Sequence, residues 1–154
     1  MHPQLSPSRP DVASELDRFT RACRERGVPV THQRLAVYRA LLASREHPSA
    51  EGVFREIRPE LPALSLGTVY KTIDFLVELG FVREVDAPGT SRRFDANLGA
   101  HHHLWCVRCQ TLEDVAHEAF QGVRAPTWLD FTVSDYTIRF NGICAACRAK
   151  GDAA

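Results

Sequence analysis

Four cysteines stand in two identical pairs, Cys106-x-x-Cys109 and Cys144-x-x-Cys147. Each pair follows a segment that we predict to be a strand, so two short turns would each present two sulfur atoms. Four thiolates at this spacing close a tetrahedral zinc site that has no open coordination position. An iron–sulfur cluster and a redox-active disulfide pair are the alternatives, because CxxC pairs serve both purposes. We predict a structural zinc ion that stabilises a small domain and performs no chemistry.

The fifth cysteine, Cys23, lies on the apolar face of the first predicted helix, where we expect it to pack rather than to bind metal. No apolar run approaches the length of a membrane span, and the N-terminus lacks the apolar core of a signal peptide. We therefore expect a cytoplasmic protein, in which paired cysteines favour metal over disulfides.

Three consecutive histidines, His101, His102 and His103, directly precede the first cysteine pair. Side chains alternate along a strand, so His101 and His103 would share one face and His102 would point away. Asp95 and Asp114 flank this segment, and His47 precedes Pro48 in an earlier loop. These groups fall into one class of potential ligand, imidazoles and carboxylates without sulfur: His47, Asp95, His101, His103 and Asp114.

Such a donor set suits iron(II), manganese or zinc, and ligand type alone does not separate them. A surface cluster of histidines is the simpler alternative. A metallohydrolase is another, because a metal with an open position can activate water. No HExxH motif supplies a general base, however, which argues against hydrolysis.

The first half of the chain has the apolar spacing of four helices. The first runs from Val12 to Arg26 and ends at Gly27. Thr31, Ser49 and Ser65 are placed to cap the next three. The fourth carries an apolar stripe that includes Val69 and Ile73, and it stops at Gly80.

A hairpin is predicted directly after the fourth helix. Residues 81–86 and 91–95 read as two short strands joined by the turn residues Pro88 and Gly89. Helices followed by such a hairpin are the order of a winged helix, whose last helix reads the major groove of DNA. An ordinary amphipathic helix is the alternative for this segment. If these elements bind DNA, the polar residues expected at the interface are Arg24 of the first helix and Thr68, Tyr70, Lys71 and Thr72 of the fourth.

Bulk charge gives no indication of nucleic-acid binding, because 19 basic residues balance 19 acidic ones. Locally, however, the stretch 18–34 contains five arginines and only one acidic residue, Glu25. Such a cluster could meet phosphates or could simply be a solvated helix face.

We therefore predict an α+β protein with two domains. Residues 1–10, which contain three prolines, are expected to form a disordered tail. Residues 11–90 would form a winged-helix DNA-binding domain, residues 91–98 a hinge with the end of the wing, and residues 99–150 a small α/β domain with structural zinc. Within the last, alternating apolar residues predict strands on either side of a short helix at 117–124.

Several longer segments resemble the ferric uptake regulator family over about residues 12–148. They are THQR at 31–34, HPSAEGVF at 47–54, LGTVYKTI at 66–73, SRRFD at 91–95, HHHLWCVRC at 101–109 and CAAC at 144–147. The chain is most similar to the peroxide-sensing branch. In that branch the sensory metal is held by the positions that correspond to His47, Asp95, His101, His103 and Asp114.

The resemblance implies a homodimeric, metal-dependent transcriptional repressor that binds double-stranded DNA at an inverted-repeat operator. Its small domain would form the dimer interface. Each subunit would hold one structural zinc ion and one regulatory iron(II) or manganese ion, with zinc as a further possibility for the regulatory site. In the peroxide-sensing branch iron(II) reacts with peroxide and a ligand histidine is oxidised, here His47 or His101. The alternative is an iron-, manganese- or zinc-uptake regulator that does not sense peroxide.

Three departures from the family pattern bear on these expectations. His32 replaces the usual proline of a TPQR motif. Ala100, Gln121 and Tyr136 stand where ligands of a third metal site occur in iron-sensing members, so we expect two metals per subunit. Zinc-sensing members often carry a cysteine near the position of Asp95. The aspartate found here instead weakens the zinc-sensor interpretation.

Overall fold

The structure is a computed structural model that describes residues 7–89, 91–120, 122, 132–133 and 136–151. The described residues divide into two compact units: the first is Arg9–Leu98, and the second contains Pro7, Ser8 and the residues from Gly99 onward. Helices dominate the first unit and a sheet dominates the second, which confirms the α+β prediction. Within the described ranges no helix has both the length and the apolar character needed to cross a membrane.

Four helices build most of the first unit, and three of them begin at the capping residues that the sequence indicated. They are α1 (Val12–Glu25), α2 (His32–Ala43), α3 (Ala50–Ile57) and α4 (Leu66–Glu78). Thr31, Ser49 and Ser65 each accept a hydrogen bond from a backbone N–H three residues later, at 3.1–3.2 Å. Gly27 and Gly80 end α1 and α4 with φ of +64° and +70°, where a side chain would add strain.

An aromatic cluster holds the helices together. The rings of Phe19, Tyr38 and Phe81 meet edge to face, with centroids 5.4–5.7 Å apart. The Tyr38 hydroxyl donates to Glu15 at 2.9 Å, so its polar end has a partner although the ring is buried. Val69, Ile73 and Leu76 of α4 reach the same core, which fixes which face of α4 points outward.

The predicted wing is a shorter hairpin than the sequence indicated. Strands β1 (Arg83–Val85) and β2 (Arg93–Asp95) pair antiparallel, with Arg83 opposite Asp95 and Glu84 opposite Phe94. Strand β2 thus belongs to the first unit. Arg9, which the sequence predicts to lie in the N-terminal tail, also belongs there, because its guanidinium donates to the carbonyls of Leu42 and Ser44. Residues 1–6 of the expected tail lie outside the described residues.

The second unit contains a mixed three-stranded sheet in the order β4-β3-β5. Its strands are β3 (His101–Cys106), β4 (Leu112–Ala116) and β5 (Arg139–Gly142). The central strand β3 is antiparallel to β4 and parallel to β5. A short α5 (Ala145–Ala149) follows β5. Only a 3-10 turn at His117–Phe120 is described within the helix predicted at 117–124, and residues 121, 123 and 124 lie outside the described residues.

Candidate metal and DNA-binding sites

The four paired cysteines converge at one end of the sheet. Cys106 ends β3, Cys109 lies in the turn before β4, and Cys144 and Cys147 flank the start of α5. Their sulfur atoms all lie within 4.8 Å of one another, and the Cys109 and Cys144 sulfurs are 3.7 Å apart. A Zn–S bond of about 2.3 Å in a tetrahedron places sulfurs about 3.8 Å apart. The cysteine cluster therefore fits the dimensions of a zinc–tetrathiolate site.

Hydrogen bonding favours a thiolate at Cys106 but not at every cysteine. The backbone N–H groups of Cys109 and Cys144 donate to the Cys106 sulfur and lower its pKa to about 6. The pKa of Cys147 is raised to about 12, because its thiol is hydrogen-bonded to Cys144 and lies among the other sulfurs. Negative charges this close oppose one another. A bound cation would offset this repulsion and allow all four sulfurs to be thiolates.

One pair of regulatory-site candidates lies in the first unit. His47, in the loop between α2 and α3, points its Nε2 atom toward Asp95 Oδ2 at 3.9 Å, and both side chains are buried. His47 has φ of +48°, a conformation that costs energy in a residue with a Cβ.

Strand β2 holds this loop in place. The backbone N–H of Phe94 donates to the Pro48 carbonyl at 3.2 Å. The Arg93 guanidinium donates to the carbonyls of Glu46 and His47 at 3.3 and 3.4 Å. Because Asp95 directly follows these residues on β2, the same strand positions both members of the pair.

The remaining regulatory-site candidates meet within the second unit. Asp114 on β4 is the direct partner of His103 on β3. Its Oδ1 atom lies 3.5 Å from His101 Nε2 and 3.7 Å from His103 Nε2. The two imidazole rings meet edge to face at 4.9 Å. Two imidazoles and one carboxylate thus converge from adjacent strands.

A backbone contact defines how His101 can act. Its Nδ1 atom lies 2.8 Å from the Gly99 carbonyl, which only accepts hydrogen bonds. The proton therefore resides on Nδ1, and Nε2, the nitrogen that faces Asp114, carries the lone pair in the neutral ring. Metal-binding histidines have this arrangement, in which the distal N–H is held by a carbonyl.

His102 faces the other side of β3, as strand alternation predicts. It is fully buried, and its Nδ1 atom accepts a hydrogen bond from the Ile138 N–H at 3.2 Å. Its Nε2–H can therefore donate to His117 Nδ1, also at 3.2 Å. Tyr136, which stands at a third-site position, stacks on its ring, whereas Gln121 lies outside the described residues. These contacts place His102 in the packing of the second unit.

The candidate DNA-contacting residues do not all face outward. Lys71 is exposed, and Arg24 is exposed at the end of α1. Thr68 is half-buried, with its hydroxyl 2.8 Å from that of Ser65. The Tyr70 hydroxyl donates to Glu51 of α3. The prediction that Thr72 lies on the exposed face is wrong, because this residue is only 3% exposed.

Sequence reasoning missed two side chains that orient the wing and the Asp95 carboxylate. Arg92 bridges Asp74 of α4 and Glu84 of β1 at 3.0 and 2.9 Å, which ties the hairpin to the helix. Arg83 donates to Asp95 Oδ2 at 3.3 Å. Strand alternation does not reveal that Arg83 lies beside Asp95, because this also requires the register in which the two strands pair.

Comparison with known proteins identifies the family. The ferric uptake regulator family matches residues 25–140. The peroxide-responsive repressor PerR of Staphylococcus epidermidis is 29% identical over 143 residues, which cover 92% of this chain and 95% of that protein.

Two solved structures share the fold. The ferric uptake regulator Fur of Helicobacter pylori has a TM-score of 0.74 at 22% identity, with 92% of this chain and 97% of that chain covered. PerR from Streptococcus pyogenes, whose structure concerns peroxide sensing and gene regulation, has a TM-score of 0.52 at 27% identity, with 86% and 92% covered. The chain therefore belongs to the ferric uptake regulator family, whose members are metal-responsive DNA-binding transcriptional regulators rather than enzymes.

Proposed function

We propose that this protein is a peroxide-responsive repressor whose activity depends on iron(II) or manganese held by His47, Asp95, His101, His103 and Asp114. The observation that carries the proposal is the convergence of His101 and His103 on Asp114, with the Nδ1 proton of His101 held by a carbonyl. The peroxide-responsive repressors to which the chain is similar over most of its length support the same conclusion.

The chemistry of these donors favours a hard or borderline divalent ion. None of the five residues carries sulfur, whereas the four cysteines form a separate cluster for which we propose one structural zinc ion per chain. An iron(II) ion held by these residues would activate peroxide, which is the oxidant: one peroxide oxygen would insert into an imidazole C–H bond and the other would leave as water. His47 and His101 are the residues for which we expect this modification.

The elements that carry the proposed ligands would couple metal binding to DNA binding. His47 lies between α2 and α3, and Asp95 ends β2 at the base of the hairpin. Metal binding to both side chains would stabilise the loop and the hairpin in one arrangement, so that metal and DNA binding favour each other. In a homodimer, two copies of α4 would then meet the half-sites of an inverted-repeat operator. Oxidation of a ligand would reverse this coupling.

The test uses protein whose cysteine site already holds zinc. Its DNA duplex is selected from a random library in the presence of manganese(II). DNA affinity is measured as iron(II), manganese(II) or zinc(II) is added to fill the regulatory site, and each loaded form is then treated with peroxide. We expect the iron form to lose DNA affinity and to gain one oxygen atom on His47 or His101 by peptide mass spectrometry. His32, exposed on α2, provides an internal control that should remain unmodified.

The manganese-loaded form should repress but show much less oxidation. Metal-dependent DNA binding without oxidation of either histidine would favour the alternative, an uptake regulator for iron, manganese or zinc. DNA binding that does not depend on any of the three metals would contradict both.

A further inference from the structure

A cationic side chain already occupies one oxygen of the candidate ligand Asp95. Arg83 is the direct partner of Asp95 across the hairpin. Its Nε and Nη2 atoms both donate to Asp95 Oδ2 at 3.3 Å, and Nη2 also donates to the Asn97 carbonyl at 3.1 Å. The guanidinium is therefore fixed on both the side chain of Asp95 and the backbone just beyond it.

The other carboxylate oxygen of Asp95 is also engaged. Asp95 Oδ1 accepts the Asn97 N–H at 2.7 Å, which sets the rotation of the carboxylate. It is Oδ2, the oxygen bound to Arg83, that faces His47 Nε2 at 3.9 Å. A cation shared by His47 and Asp95 would thus use a lone pair of the same oxygen that accepts from Arg83.

Burial strengthens the electrostatic interaction between Arg83 and Asp95. The Asp95 side chain is 6% exposed and that of Arg83 is 31% exposed. A buried carboxylate that loses its cationic partner is strongly destabilised, so Arg83 supports the metal-free protein. A divalent cation arriving at the same oxygen would instead meet a positive charge a few ångströms away. Both effects make the free energy of metal binding less favourable.

We infer that Arg83 is a positioning residue that sets the metal affinity of the regulatory site by holding and partly neutralising Asp95. The inference rests on the proposed function, because it needs Asp95 to be a ligand. Its consequence is a threshold: the protein would respond only at a higher free metal concentration than its five ligands alone would require.

The experiment compares Arg83→Met with Arg83→Lys in protein whose cysteine site already holds zinc. Manganese(II) affinity is measured by competition with a fluorescent chelator, and the melting temperature is measured without manganese. We expect Arg83→Met to bind manganese more tightly, on the order of tenfold, the size of effect that groups contacting metal ligands have on affinity. The same substitution should lower the melting temperature of the manganese-free protein.

Arg83→Lys keeps the positive charge, so its affinity should shift less than that of Arg83→Met. Arg39→Met is a matched control, because Arg39 is an exposed arginine of the same unit that pairs with Glu60 at 3.7 Å. It should change neither readout appreciably. Unchanged or weaker manganese binding by Arg83→Met would overturn the inference, since a purely structural role predicts only loss of stability.

Asp95→Asn distinguishes failure of the proposed metal site from failure of the role inferred for Arg83. If this variant binds manganese as tightly as the unmodified protein, Asp95 is not a ligand, and both the proposed site and the inference fail. If Asp95→Asn weakens binding while Arg83→Met does not strengthen it, the proposed site stands and only the role of Arg83 is overturned.

Discussion

Adjacent residues of α4 differ sharply in what they can reach. Lys71 is exposed, whereas Thr72 beside it is buried against the core. The helical spacing contained the signal for this difference, because Thr72 follows the buried Val69 by three residues and precedes the buried Leu76 by four. A short polar side chain at such a position was misread as part of the polar face. Residue type alone did not reveal its direction.

Lys71→Ala is expected to weaken DNA binding across all sequences and to reduce by about one the slope of log affinity against log salt concentration. The physical reason is the loss of one phosphate contact and its released counterion. Fluorescence anisotropy with a labelled duplex at several salt concentrations measures both quantities.

The matched control is Thr72→Val, which preserves the shape of a buried side chain that cannot reach a phosphate. It should leave the salt slope unchanged. A reduced slope in Thr72→Val, or an unchanged one in Lys71→Ala, would contradict the assignment of the outward face.

Helix starts could be predicted from sequence because they are local, and strand neighbours could not. A capping side chain at Ser65 contacts a backbone N–H three residues away, so nearby sequence suffices to find it. The pairs Arg83–Asp95 and His102–His117 join residues that are 12 and 15 positions apart. Locating them requires the pairing of the strands, which alternation of apolar residues does not specify.

The cysteine cluster is expected to stabilise the ends of β3 and β5 together with α5. Cys147→Ser should abolish bound zinc and greatly weaken the second unit, because structural zinc contributes folding free energy directly. The helices α1 to α4 have a core of their own and should persist.

Metal analysis and circular dichroism during heating test this expectation. Ala146→Ser, which changes an exposed residue between the same two cysteines, should retain zinc and the full transition. Full zinc content and unchanged melting in Cys147→Ser would rule out the tetrathiolate site.

At the scale of the whole molecule, the second unit carries an apolar surface that is a candidate for the expected dimer interface. Leu104 and Phe140 are neighbouring partners on β3 and β5, yet they are 42% and 44% exposed. With Ile143 they line a cavity of about 440 Å³ to which the charged residues Glu113 and Arg148 also contribute. Contiguous exposed apolar surface is typical of protein interfaces. We expect a second copy of the chain to cover it.

Phe140→Asp should therefore shift the protein from dimer to monomer, because burying a carboxylate at the interface would remove it from water. Sedimentation equilibrium on the zinc-loaded protein gives the association state directly. Leu98→Asp places the same charge on an exposed leucine of the first unit and should leave the dimer intact. A Phe140→Asp protein that remains fully dimeric would locate the interface elsewhere.

When it holds a metal ion, the cysteine cluster would also fix which of the three neighbouring histidines face Asp114. His101 and His103 lie on one face of β3 and His102 on the other, while Cys106 ends the same strand. If β3 slipped by a single residue, odd and even positions would exchange faces, and one imidazole would replace two. A run of three histidines cannot prevent this slip, since every side chain in it is the same. A metal ion that joins Cys106 to Cys144 would oppose this slip, and would thereby fix which histidines face Asp114.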